Sequence, residues 1–306
     1  MKRLLPFLLL ALSVAAATGD HVDGILARAR ELAGAGRFAE ALPLFTQAAE
    51  MAPANSRGHA GRGAMLNRLE RYAEALAAMD RAVTLAPDQP MLRYNRGLAL
   101  WETGRFTEAV AEFDRAAAGR PELPMPYADR ALAKLSLGDP AGAFADCEKA
   151  LLADPGYIWA RYYRAMAHYV AGDFAKAAED FAAVAEKEPA FVAAHLWSHA
   201  AARRTGRVPA AGPALSTGLP WPEPLLAHLR GEISAAELLS AARTQRVPDD
   251  ERRVSAAHAV IGMAHLLANR TGAARESFAA ALALPVPAHF EQILARTEIT
   301  RLPREG

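Results

Sequence analysis

Five prolines at one fixed spacing constrain this chain more than any other feature. Pro53, Pro87, Pro121, Pro155 and Pro189 stand 34 residues apart. A fixed period of that length marks one small structural unit, copied and stacked on itself. Other columns keep the same step. Ala41, Ala75, Ala109, Ala143 and Ala177 each lie 12 residues before a proline. Gly36, Gly104, Gly138 and Gly172 lie 17 before, with Glu70 as the one departure. Phe38, Tyr72, Phe106 and Phe174 lie 15 before, and Pro140 stands there in the fourth copy. Phe45, Met79, Phe113, Cys147 and Phe181 lie 8 before; Ala29, Gly63, Gly97, Ala131 and Ala165 lie 24 before.

Each column has work to do in a helix–turn–helix unit. The small residues sit where a first helix, A, crosses its partner, B, and a small side chain permits that approach. The glycine ends helix A in the left-handed conformation that only Gly adopts cheaply. The aromatic opens helix B and packs back on the unit. In the fourth copy Asp139-Pro140 replaces it, an N-cap followed by proline in the first turn. The terminal proline stops helix B. A single pair cannot bury its apolar face alone, so neighbours must stack into a continuous core. Pro43 breaks the pattern: it falls inside the first helix B, past the first turn, and predicts a kinked or loose first unit.

These columns resemble the tetratricopeptide repeat family, whose period is 34 residues. In the third copy Gly97, Gly104, Phe106, Ala109, Phe113, Ala116 and Pro121 stand where the family motif places its small, aromatic and proline residues. The resemblance covers about residues 22–191. It implies an all-α fold, a right-handed α-solenoid whose concave face is lined by the A helices.

The chain reads in four parts. Residues 1–17 have the pattern of an export signal: Lys2 and Arg3, then an uncharged run from Leu4 to Val14, then Ala15-Ala16-Ala17. The run is too short to span a bilayer, which needs about 20 apolar residues. Periplasmic or secreted location follows as an expectation. Residues 18–205 carry the repeats, at about 22–55, 56–89, 90–123, 124–157 and 158–191, with a partial sixth at 192–205. Residues 206–254 form an irregular connection rich in proline and glycine, with short helices: one from Glu223 to about Arg230, then a new start at Ser234, with Glu237 completing a capping box. Residues 255–306 restore the columns in Gly262, Ala274, Phe278, Ala281 and Pro285, and close with a helix from about Ala288 to Leu302.

This ending resembles the NlpI-like repeat proteins of bacterial envelopes, through Trp221, Gly231-Glu232-Ile233-Ser234, the late unit and Phe290-Glu291. That resemblance implies an adaptor bringing envelope enzymes together, such as peptidoglycan hydrolases and a protease. The chain departs from that group in having no lipid-bearing cysteine after the apolar run.

The formal net charge is +1, and falls near zero once Lys2 and Arg3 are removed. A nucleic-acid binder normally carries a basic face, so that class is set aside. Partners are expected to be polypeptides. Stacked A helices place Met91, Tyr94, Leu98, Trp101 and Glu102 on the concave face in the third copy. In the fourth the positions are Met125, Ala128, Leu132 and Leu135, and in the fifth Trp159, Tyr162, Met166 and Tyr169. Spacings of three and four put each set in one stripe. Aromatics and methionine are enriched where partners bind, so an apolar groove for a helix or extended peptide is one expectation. The alternative is that the C-terminal helices fold back and fill it, or that the stripe is core. The carboxylate clamp of some family members is absent; Asn95 stands nearly alone. A rival function is glycan or peptidoglycan binding, with weak hydrolase activity and the aromatics as sugar platforms.

No enzyme is expected, and no cofactor or metal. His195 and His199 are one helical turn apart, but Leu196 replaces the glutamate of a His-Glu-x-x-His zinc site and no third ligand is evident. Cys147 fills an apolar column and reads as core. Trp221-Pro222-Glu223-Pro224 offers a single carboxylate, too few for glycoside hydrolysis.

Overall fold

The computed structural model describes residues 5–207, 221–243, 250–286 and 290–303. Among these residues it contains sixteen α-helices and no strand. The chain divides into two compact units, Met1–Pro121 and Glu122–Gly306.

The first unit is three helical pairs. They are α1 (Leu5–Gly34) with α2 (Phe38–Met51), α3 (Ser56–Arg68) with α4 (Tyr72–Leu85), and α5 (Pro90–Glu102) with α6 (Phe106–Gly119). Each B helix opens on the expected aromatic and ends two residues before its proline. Helix α1 starts at Leu5, so most of the apolar N-terminal run and the first A helix are one continuous helix; Lys2 and Arg3 lie outside the described residues. No helix among the described residues is long and apolar enough to cross a membrane. The first core joins Val22, Leu26, Ala29 and Leu32 of α1 to Ala41, Phe45 and Ala48 of α2 and Met65 of α3. Pro43 does not loosen it. Helix α2 runs unbroken through the proline, whose exposed ring leaves the unmade hydrogen bond to water while Ala41 and Phe45 stay buried on the other face.

The second unit holds two regular pairs, α7 (Pro124–Ser136) with α8 (Pro140–Ala153) and α9 (Ile158–Ala171) with α10 (Phe174–Lys187), and then α11 (Val192–Arg204). Asp139 and Asp173 cap α8 and α10 through their side chains, as the Asp-Pro start predicts for α8. Most of the proline-rich stretch, residues 208–220, lies outside the described residues. Helix α12 (Glu223–Leu229) packs on α11 and on α14 (Asp250–Leu267). The capping box of Ser234 and Glu237 opens α13 (Ala235–Ala242). Helices α14 and α15 (Thr271–Leu282) form the late pair, and α16 (Phe290–Arg301) packs on α15, α14 and α9.

Two backbone positions show why the columns exist. A methyl group on Gly97 would lie 2.7 Å from the ring of Phe113, closer than real contacts allow, so α5 and α6 cross only because the side chain is absent. Glu70 ends α3 at φ 59, in the left-handed region where the other copies use glycine. A side chain there costs about 1–2 kcal/mol, and glycine gives back part of that as unfolded-chain entropy. Glu70 is exposed, so Glu70→Gly should raise the unfolding free energy by roughly 0.5–1 kcal/mol, read as a higher melting temperature; a lower one would contradict the strain.

Candidate functional site

The A-helix faces are described unit by unit. In the first unit, Met91, Tyr94 and Leu98 follow one another at spacings of three and four on α5, each half-buried. The Tyr94 ring leans on Phe113, 5.9 Å between centroids. Trp101, one turn further, is 7% exposed and packs on Phe106. It belongs to the packing between α5 and α6 rather than to an open surface.

In the second unit, Met125 and Leu132 of α7 are half-buried, while Ala128 and Leu135 are buried. Trp159 of α9 is 41% exposed. The rest of its stripe is interior: Tyr162, Met166 and Tyr169 are 6%, 1% and 0% exposed. The expected open groove is closed at these three positions, and the reason is α16. Phe290 enters an aromatic cage, 4.8 Å from the Trp197 ring centroid, 6.0 Å from Phe181, 6.2 Å from Tyr169 and 6.4 Å from Tyr162. Such offset and edge contacts contribute about 0.5–1.5 kcal/mol each beyond buried area. Burial pushes the Tyr162 and Tyr169 hydroxyls well above the ordinary tyrosine range.

Polar contacts fix α16 in place. The Arg301 guanidinium donates to the carbonyls of Tyr169 and Val170 at the end of α9, where unpaired carbonyls and the helix dipole favour a cation. Arg296 donates to the Ser136 carbonyl at the end of α7. Glu298, 1% exposed, accepts from Arg204 at 3.1 Å and from Arg301 at 3.0 Å. The stripe on α9 therefore holds a helix, and that helix is part of the same chain.

A second periodic device escaped the sequence reading. Arg96, Arg130 and Arg164 stand 34 residues apart, as do Glu112, Asp146 and Asp180. In each copy the arginine of helix A reaches the acid of helix B, at 3.1, 2.5 and 2.7 Å. Arg96 also reaches Asp80 of the preceding copy and Arg164 reaches Glu148, both at 2.7 Å, so one guanidinium joins three helices. The Arg130–Asp146 pair is buried, 7% and 1% exposed. Burial alone would raise the Asp146 carboxyl, but hydrogen bonds from Arg130 and Lys134 hold it below the usual aspartate value. The signal was in the sequence, as two charged columns in step with the prolines.

The histidine and cysteine candidates have structural surroundings. His195 Nε2 lies 3.1 Å from the Pro189 carbonyl, the contact that His59 makes with Pro53 and Arg93 with Pro87 in earlier copies. His199 is half-buried, and burial with nearby Arg203 and Arg230 lowers its pKa. Among the described residues no group of three His, Cys, Asp or Glu side chains could hold a metal. Cys147 is fully buried, and burial drives its thiol upward, away from the thiolate.

Comparison with known proteins fits this geometry. One tetratricopeptide repeat model matches residues 26–90 and 162–219, and a second matches residues 63–125. Together they cover just over half of the chain. No curated protein matches it. Among solved structures, a tetratricopeptide repeat protein from Parabacteroides merdae is 15% identical, with 90% of this chain and 98% of that one covered and a TM-score of 0.55. A MamA fragment from Desulfovibrio magneticus RS-1 is 22% identical over 57% of this chain and 98% of its own, at 0.51. The pilF protein of Pseudomonas aeruginosa is 13% identical over 92% and 99%, at 0.50. At these identities the likeness is one of fold.

Two substitutions test the packing. Phe290→Ala should lower stability by about 3–5 kcal/mol in urea unfolding, through the cavity it leaves; a loss under about 1 kcal/mol would mean α16 is not anchored there. Asp146→Ala should cost about 3–5 kcal/mol by removing the buried carboxylate that Arg130 and Lys134 share. The Asp146 pKa is lowered by folding, so its contribution is present above about pH 4 and is lost as pH falls through the lowered value. The variant should lose that part of the acid sensitivity.

Proposed function

Because the chain belongs to the tetratricopeptide repeat family, we propose that it is an exported scaffold that binds polypeptide partners on the A-helix face of its first unit and serves cell-envelope assembly. Repeat proteins of this kind stack helices to display extended binding surfaces, and the reading needs no catalytic step. The carrying observation is the half-buried row of Met91, Tyr94 and Leu98 on one face of α5. Such a row takes an amphipathic helix or an extended peptide through apolar anchors at matching spacings. Phe290 in its cage supports an aromatic or apolar anchor as the chemistry that an A-helix face of this protein accepts. Trp159 adds an exposed aromatic in the second unit. Export is supported by the charged, apolar and small-residue order of residues 2–17, and the envelope role by the resemblance of the C-terminal part to NlpI-like proteins.

The surface is tested with Met91→Ala/Leu98→Ala. Trp101 and Tyr162 would be poor targets, since they are buried. Polypeptides captured from envelope extract by the wild-type chain should be lost from the double variant, with affinity down about tenfold or more and helicity unchanged. Retention of every partner would refute the α5 surface, and binding to purified sacculi with no polypeptide captured would favour the glycan reading. Export is tested by the mass of the protein recovered from a bacterial host: a chain starting near Thr18 supports it, and one retaining Lys2 and Arg3 refutes it.

A further inference from the structure

The second unit contains a basic cavity that the scaffold reading does not use. It has a volume of about 410 Å³ and is lined by Arg203 of α11, His228 and Arg230 at the end of α12, His265 of α14 and Arg270 before α15. Three helices, α11, α12 and α14, end around it, and two, α13 and α15, begin there. Three carbonyl ends contribute about half a negative charge each and two N–H ends about half a positive charge each, so the helix termini leave about half a negative charge. The side chains outweigh it. Arg203 and Arg270 carry two positive charges on the cavity lining, and Arg230 lies 3.9 Å from the half-exposed Glu232. Arg203 and Arg270 are exposed at the rim and form no ion pair with a described residue. Arg130, Arg164, Arg204 and Arg301 of this unit are each matched to a carboxylate.

The histidines point the same way. His228 Nδ1 lies 2.9 Å from the Ile233 carbonyl. A carbonyl only accepts, so Nδ1 carries the proton and Nε2 remains as the other polar atom. His265 Nδ1 is buried with no hydrogen-bond partner, and buried polar atoms are rarely left so. Burial, Arg270 and His228 all hold His265 toward its neutral form, opposed only by Glu276. Arg203, Arg230 and Glu232 are the other charged groups around the cavity. A bound anion would offset the arginine excess and favour protonated histidine.

We propose that this cavity binds a doubly charged oxyanion group of the phosphate or sulfate class, held by the guanidinium forks of Arg203 and Arg270 at its rim. Guanidinium planes match such oxygens in paired, charge-assisted hydrogen bonds. The site is separate from the α5 surface, so either can fail without the other.

The experiment is calorimetric titration of the full chain with inorganic sulfate and with inorganic phosphate, at constant ionic strength set by chloride. Saturable binding is expected for wild type, weakened about tenfold or more in Arg203→Ala/Arg270→Ala. Both side chains are exposed, so circular dichroism should be unchanged. Glu232→Gln, which removes the carboxylate beside Arg230, should tighten binding. Sulfate stays doubly charged across this range, so its affinity should rise as pH falls from about 8 to about 5.5 and His265 takes up a proton. No saturable binding by wild type, or equal affinity in the double arginine variant, would overturn the proposal. If only phosphate binds, the site is a phosphate site; if both bind alike, charge alone selects the ligand.

Discussion

Every repeat in this chain rests on one close crossing between its two helices. A residue without bulk on helix A lies under a large side chain on helix B, as Gly97 lies against Phe113 and Gly63 against Met79. The late pair repeats the arrangement with Gly262 and Phe278, although an irregular segment separates it from the other copies. Once that distance is set, the rest of the unit has little freedom. Alanine at the twelfth place before each proline becomes fully buried, and all five such alanines are 0% exposed. The turn between the helices must then reverse the chain in three residues. That demands a positive φ at its centre, supplied by Gly36, Gly104, Gly138 and Gly172 and, under strain, by Glu70.

The crossing fixes each pair, and the arginine ladder joins pairs together. Arg96 and Arg164 each hold an acid in their own repeat and another in the preceding one. Apolar contacts alone tolerate small slips between neighbouring repeats, because methyl groups have no preferred partner. A planar guanidinium between two carboxylates has far fewer acceptable positions. A buried ion pair adds little net stability over well-packed apolar residues. The ladder's contribution is therefore better understood as fixing register than as strength.

The columns with a single steric role were legible in the sequence. The prolines, the small residues, the aromatic starts and the Ser234–Glu237 capping box each do one local job, so residue type alone reveals them. What needed coordinates was the identity of the partner. Tyr162, Met166 and Tyr169 form an apolar stripe whether a foreign peptide or Phe290 lies upon it, and α16 is more than a hundred residues away in sequence. Trp101 is open in the sequence for a related reason: its place on helix A suits either the open face or packing on the start of helix B, and in the structure it packs on Phe106. Pro43 was read from backbone chemistry alone, whereas its exposed position sets the cost. The basic cavity gathers residues from α11, α12, α13, α14 and the turn before α15, and no spacing rule connects them.

A solenoid has a problem at each end, since its last repeat exposes the face that another repeat would cover. At the C-terminal side of this chain α12, α14 and α16 bring Leu225, Leu226, Met263 and Phe290 into the core. Outside the columns that α14 and α15 restore, this part of the sequence has no 34-residue pattern to keep, and its polar residues can be placed for other purposes. Arg204 and Arg301 illustrate one such purpose: both converge on Glu298 to hold the closing helix. Arg203, next in sequence to Arg204, faces away to the basic cavity. The same departure from periodicity that closes the solenoid thus also brings Arg203 and Arg270 to the rim of one cavity, with no ion pair to a described residue.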